Sequence, residues 1–185
     1  MHEYLKQRIQ IFGTVLDKVP EIRYAGDPVL RQATPPSTLE EGREIGKRME
    51  SVLIKYRAVT GWGRGLAAPQ IGESTSVFVT FVDDRFELFI NPKIVEKSET
   101  SNLYRELCLS AGVVAADVER PDWIVMEWMD EQGVKRSEKF DGREARLYQH
   151  EEAHLRGRLN VDDAVSGGIE ILTFDPLKEQ RRAVS

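Results

Sequence analysis

Cysteine is almost missing from the 185-residue chain, which holds Cys108 and no other. One thiol cannot close an internal disulfide, so nothing calls for an oxidising compartment and the cytoplasm is the expected home. Long apolar runs are missing as well. None approaches the ~20 residues that span a bilayer, and MHEYLKQRIQ lacks the uninterrupted hydrophobic stretch of a signal peptide. No membrane partner is expected. An excess of positive charge is also absent: 26 Lys and Arg stand against 31 Asp and Glu, a formal charge of −5, which disfavours DNA and other phosphate backbones. Histidine is scarce, with three in the chain, and no repeat or low-complexity tract occurs. What remains suits one folded unit, since 41% hydrophobic residues can build a core and 31% charged residues fit an ordinary surface.

The patterning predicts an α+β fold in which short, mostly antiparallel strands form small sheets wrapped around a C-terminal helix. Leu5, Ile9, Phe12 and Leu16 recur at helical spacing, so a short N-terminal helix with these four on its packed face should end before Pro20. Residues 1–20 are read as a helical extension, 21–165 as the main domain, and 166–185 as a tail without clear periodicity. A second helix is expected after Pro36, with Ser37 and Glu40 in capping-box register. Its packed face carries Ile45, Met49, Val52 and Tyr56, and it stops near Thr60. GWGRGLAAPQIG reads as a glycine-dense loop that lets backbone approach another group closely. Segments 77–82 and 86–90 predict a hairpin about Asp83 and Asp84, with Asn91 and Pro92 opening the next connection. Further strands are expected at 93–98, 107–109, 123–129 and 134–140, followed by a helix from about 143 to 156.

His150, Glu151 and His154 form HExxH on that last helix. Residues four apart share a helix face, so both imidazoles can reach one metal ion while Glu151, one residue on, lies beside them. A catalytic centre needs a third protein ligand and an open position. The extended peptidase pattern HExxHxxGxxH would place that ligand at 160, where the residue is Asn160. Cys108 is a soft candidate, and Glu170 or Glu179 a downstream carboxylate; spacing alone leaves the three open. The plain alternative is two surface histidines and an inert buried thiol.

Three motifs occur in order along the chain. Gly63, Gly65, Ala67, Ala68 and Gln70 match GxGxAAxQ; Glu106, Cys108, Leu109 and Ser110 match EGCLS; Gln149, His150, Glu151 and His154 match QHExDH, trailed by Leu155 and Gly157. Together with YAGDPVLRQ at 24–32 they resemble the peptide deformylase family, from about residue 22 to 165. The resemblance implies a hydrolase that removes the formyl group from the N-terminal formylmethionine of nascent peptides. It implies Cys108, His150 and His154 as ligands of one divalent ion, Fe²⁺ or Zn²⁺, and Glu151 as the group that moves the proton. The Gln70 amide and the Leu109 N–H would bond the formyl oxygen, Gly65 would offer backbone to an extended peptide, and Glu106 would pair with Arg120. The N-formylated peptide is the implied partner. The ribosome is a further candidate through Lys178, Arg181 and Arg182, although a solvated tail is the simpler reading.

The match breaks at particular places. Leu107 stands where the family has glycine, beside the expected peptide path, and Ala153 replaces an aspartate between the ligand histidines. Arg64, Arg143 and Glu144 occupy positions that line an apolar methionine pocket in relatives; Arg146 is less telling, since relatives often carry arginine there. These departures predict an altered substrate preference. They also keep open a deformylase-like protein of weak or no activity that binds peptide or chain ends, although its complete water-activating set argues against a pure binder. A general metallopeptidase is a distant third reading.

Overall fold

A computed structural model describes residues 3–173. Among these residues three α-helices, α1 (Glu3–Lys18), α2 (Leu39–Thr60) and α3 (Gly142–Leu155), pack with eight strands in the α+β arrangement expected. Strands β1 (Gly65–Ala67), β2 (Val77–Val82), β3 (Arg85–Lys97), β6 (Trp123–Met129) and β7 (Lys135–Asp141) form a five-stranded sheet in the order β1-β2-β3-β6-β7. Strands β4 (Ser101–Leu107), β5 (Val114–Pro121) and β8 (Ala164–Ile171) form a second sheet in that order. Every pairing is antiparallel.

The larger sheet is covered on both faces, and β2 shows it residue by residue. Val77 and Val79 join the core under α1 and α2, while Phe78 points the other way into the core shared with α3. A strand buried on both faces reads as a continuous apolar run, which is why VFVTFV stands out in the sequence. Helix α2 lies close over β3 because Gly46 has no side chain; a Cβ there would meet Leu88 at 2.8 Å. Helix α3 is enclosed between the two sheets. Its Tyr148 packs with Phe78, Phe89 and Phe140, and Gln149 donates to the Pro121 carbonyl of β5 at 3.0 Å.

Several local expectations shift. The packed face of α1 carries Arg8 and Val15, with Ile11 and Phe12 partly buried, whereas Ile9 and Leu16 are exposed at 46% and 45%. An arginine in the middle of the packed row hid that face from a hydrophobic pattern. The capping box of α2 forms one residue later, between Thr38 and Glu41, because the backbone of Ser37 is bound on both sides by the Asn91 amide. Asn91 takes a left-handed φ of 52° inside β3, so Asn91 and Pro92 mark an irregularity within one long strand and not its end. Part of the glycine-dense loop is β1 and a following 3-10 turn, Ala68–Ile71. The strand expected at 107–109 lies earlier, as β4, and the chain turns at Leu109–Ala111. Strand β5, not anticipated, mixes buried Ala115, Ala116 and Val118 with the charged Asp117 and Arg120, both also buried. Strand β8 crosses the boundary set at 165 and pairs Ile171 and Ile169 with Val114 and Ala116. Glu179, Lys178, Arg181 and Arg182 lie outside the described residues.

The aromatic contact between Phe78 and Phe89, stacked at 4.5 Å, lies at the centre of the α3 core, and Phe78 is fully buried. Phe78→Ala should cost about 3–5 kcal/mol of unfolding free energy, read from the shift of a urea transition. A loss below about 1 kcal/mol would show that this core is not close-packed around the ring.

Candidate active site

Helix α3 carries His150 and His154 one turn apart, and β4 delivers Cys108 against them. The sulfur, a nitrogen of His150 and a nitrogen of His154 all lie within 4.8 Å of one another. Cys108 Sγ stands 3.3 Å from His154 Nε2. Ligand bonds of about 2.3 Å to sulfur and 2.0–2.1 Å to nitrogen in a tetrahedral shell imply a sulfur–nitrogen edge of roughly 3.5 Å, so the three fit one ion. Of the alternatives, Glu170 is engaged instead with Arg105 on the second sheet, at 2.9 Å.

The histidines are aimed by their neighbours. Nδ1 of His150 faces Glu106 Oε2 at 2.9 Å, which leaves Nε2 for the ion. Glu106 takes the expected pair of hydrogen bonds from Arg120, at 2.6 and 2.8 Å, and a further one from Arg146 at 2.6 Å. Burial opposes the charge of Glu106, but the hydrogen bonds from Arg120 and His150 outweigh it and hold the carboxyl well below the usual carboxylate range. His154 lacks such support: its Nδ1 is buried without a hydrogen-bond partner, and residue 153 between the two histidines is an alanine. Burial, and then the charge of His150, pushes its pKa down.

Glu151 is 3% exposed, and its Oε2 has no partner. Burial pushes its carboxyl up to about 7, opposed by His150. A buried carboxyl poised there suits proton transfer near neutrality. Gly65 makes the room for it, since a Cβ on Gly65 would stand 2.2 Å from Glu151 Oε1. Gln70 is equally fixed: its Oε1 accepts from the Ala67 N–H at 2.8 Å, and its Nε2 donates to Ser110 Oγ at 3.2 Å and faces Cys108 Sγ at 3.6 Å.

The residues read as lining a substrate pocket fall into two groups. Arg64 is exposed, though its charge acts on Glu151, and Leu107 is partly buried at the end of β4. Arg143 and Glu144 are exposed on the first turn of α3, with Arg143 two turns and roughly 10 Å along the axis from His150. Two contributors escaped the sequence reading. Arg146 bridges Glu106 to the Asn102 carbonyl, and Asn160 donates to the Glu106 carbonyl at 3.1 Å. Asn160 holds the position that a third histidine would take in the extended peptidase pattern, and it serves there as a brace.

A family model described as polypeptide deformylase matches residues 19–168. The chain belongs to the peptide deformylase family. It is accordingly a metal-dependent hydrolase acting on N-formyl groups. A peptide deformylase of Pseudothermotoga lettingae is 40% identical over 144 residues, 78% of this chain and 82% of the relative. The deformylase crystal structure from Thermotoga maritima superposes with a TM-score of 0.69 at 35% identity, covering 78% of this chain and 96% of that one. That from Thermus thermophilus gives 0.72 at 33%, covering 80% and 86%. Among the described residues no helix is long and apolar enough to cross a membrane.

Within this deformylase site Cys108 supplies the sulfur of the cluster that fits one ion. Cys108→Ser replaces it with a poor, protonated donor, so bound metal should fall at least tenfold by elemental analysis while far-UV circular dichroism stays unchanged. Full metal content in that variant would remove Cys108 from the ligand set.

Proposed function

We propose that the chain deformylates nascent peptides at an Fe²⁺ or Zn²⁺ centre held by Cys108, His150 and His154, with Glu151 as the proton carrier. Sulfur with two imidazole nitrogens suits either ion. The observation that carries the reading is the unpartnered, buried Glu151 carboxylate beside the cluster of three ligand atoms. The ion, when bound, lowers the pKa of water and polarises the formyl oxygen. Glu151 takes the proton from the attacking water and returns it to the departing amine. The Gln70 amide and the Leu109 N–H donate to the formyl oxygen as charge grows there; hydrogen bonds to Ala67 and Ser110 already hold Gln70 in place.

Peptide backbone has two edges to meet. β1 ends the larger sheet and β4 ends the smaller one, and both lead into the site. An extended chain end entering between them gains main-chain hydrogen bonds at Gly65 and Leu107. Leu107 then sets a side chain beside that path, and Arg64 brings a charge toward the pocket for the first residue. We assign to these two the altered preference, and Arg143 and Glu144 act farther out on the mouth. Use of the single cysteine as a ligand fits a reducing cytoplasm. Contact with the ribosome would rest on Lys178, Arg181 and Arg182.

Two outcomes follow. Glu151→Gln preserves shape but accepts no proton, so formate release should drop by about two to four orders of magnitude with metal still bound. A wild-type protein no faster than this variant would favour the peptide-binding reading. For specificity, Arg64→Ile with Leu107→Gly should raise kcat/KM for formyl-Met peptides roughly tenfold, about 1.4 kcal/mol. An unchanged ratio of formyl-Met to small or acidic formyl substrates would place both side chains outside the substrate path.

A further inference from the structure

Helix α1 precedes the span that the family model matches, 19–168, yet it is seated closely on the domain. Val15 is buried in the core that α1 shares with α2, and the space left between α1, Tyr56 and Leu109 is about 10 Å³, room for no more than one water. Two side chains of the helix, one turn apart, reach different walls of the site. Phe12 meets the wall that holds the donors to the formyl oxygen. Its ring lies over Gly112, where a Cβ would meet it at 3.2 Å, and Gly112 closes the turn Leu109–Ala111. The same ring stands edge-on to Tyr24, with centroids 5.2 Å apart. Tyr24 lies between two backbone bonds: the Arg23 N–H donates to the Gln70 carbonyl at 2.7 Å, and the Ala25 N–H to the Ser110 carbonyl at 2.8 Å. One ring thus backs both the turn of Leu109 and the segment that ties Gln70 to Ser110.

Arg8 meets the other wall. It is 7% exposed, and its guanidinium lies over the Trp62 ring, 4.6 Å from the centroid. Nε and Nη1 have no hydrogen-bond partner, so the charge leans on the face of the indole. Trp62 stands three residues before Gly65, where β1 begins. Gly61 and Gly63 flank it with positive φ of 74° and 119°, which leaves the indole to anchor that stretch. Thr60 and Arg57 of α2 fix the backbone of the loop, through the Trp62 N–H and the Gly63 carbonyl, and Arg8 fixes its indole.

We propose that α1 is a positioning brace for the deformylation site, in which Phe12 sets the donors at Leu109 and Gln70 and Arg8 sets the approach to the β1 edge. The roles of those donors and of that edge rest on the function proposed above; the contacts of α1 do not. The two walls act on different constants. Donors to an oxygen that gains charge act in the transition state and so on kcat, whereas an edge that holds the peptide throughout acts on KM.

The test combines steady-state kinetics on formyl-Met peptides with hydrogen exchange, both on the metal-loaded full chain. Phe12→Ala should lower kcat about tenfold with KM unchanged. Arg8→Met should raise KM roughly threefold to tenfold with kcat unchanged. Metal content stays at the wild-type level in both. Loss of folded protein does not imitate the second pattern, since it lowers kcat and leaves KM alone. Exchange reads the two walls without turnover: the Ala25, Ala111 and Gly112 amides should lose protection in Phe12→Ala, and the Trp62 and Phe81 amides in Arg8→Met. Phe12→Leu and Arg8→Lys keep part of each contact, so their effects should fall between wild type and the first pair, and they carry the test if the first pair does not fold. Unchanged exchange, the same kinetic change in both variants, or altered exchange with both constants at wild-type values overturns the brace. A wild type that releases no formate from any formyl peptide, with the exchange pattern as expected, would sink the deformylase reading instead and leave the contacts of α1 standing.

Discussion

The carboxylate of Glu106, buried where β4, β5 and α3 meet, accepts hydrogen bonds from Arg120 and Arg146 and faces Nδ1 of His150. Each partner comes from an element that must be in register for the ligand set to exist: Glu106 lies two residues before Cys108, Arg120 is on β5, and Arg146 and His150 are on α3. A buried ion network adds little net stability, because desolvation of the charges offsets most of their attraction. Its effect is on geometry. A helix packed by apolar contacts alone can slide by part of a turn; one whose histidine must meet a fixed carboxylate cannot. The Asn160 bond to the Glu106 carbonyl and the Gln149 bond to Pro121 brace the same junction.

Much of the site was legible because its chemistry is local. HExxH needs only a helix to bring its members together, and Glu151 follows from the same spacing. Spacing left Cys108 as one of three candidate ligands, the resemblance through ELCLS singled it out, and the fold brings its sulfur to 3.3 Å from His154 Nε2. Other elements were hidden by mixed polarity. β5 reads as a charged stretch because it buries Asp117 and Arg120 among alanines and valine, and the packed face of α1 contains an arginine. The cap of α2 fell at Thr38 because Asn91, more than fifty residues away, occupies the Ser37 backbone. Arg146 and Asn160 have roles that exist only once Glu106 is buried beside them.

Of the departures from the family pattern, Leu107 and Ala153 each adjoin a member of the metal-fitting cluster, while Arg64, Arg143 and Glu144 are exposed. With Ala153 beside it, Nδ1 of His154 has no orienting partner, while His150 keeps its own. The two histidines are therefore unequal. One is held by a charged carboxylate, and the other by packing around a helix buried on most sides.

Strand β1 is three residues long, buried throughout, and last in its sheet. Open sheet edges ordinarily invite other sheets, and proteins blunt them with charge, proline or cover. Here α2 packs against β1 from one side and α3 from the other, and the strand is buried throughout. A peptide adding to this edge by the proposed route would have to arrive extended, so the enclosure of β1 would tie recognition to a terminus not yet packed away.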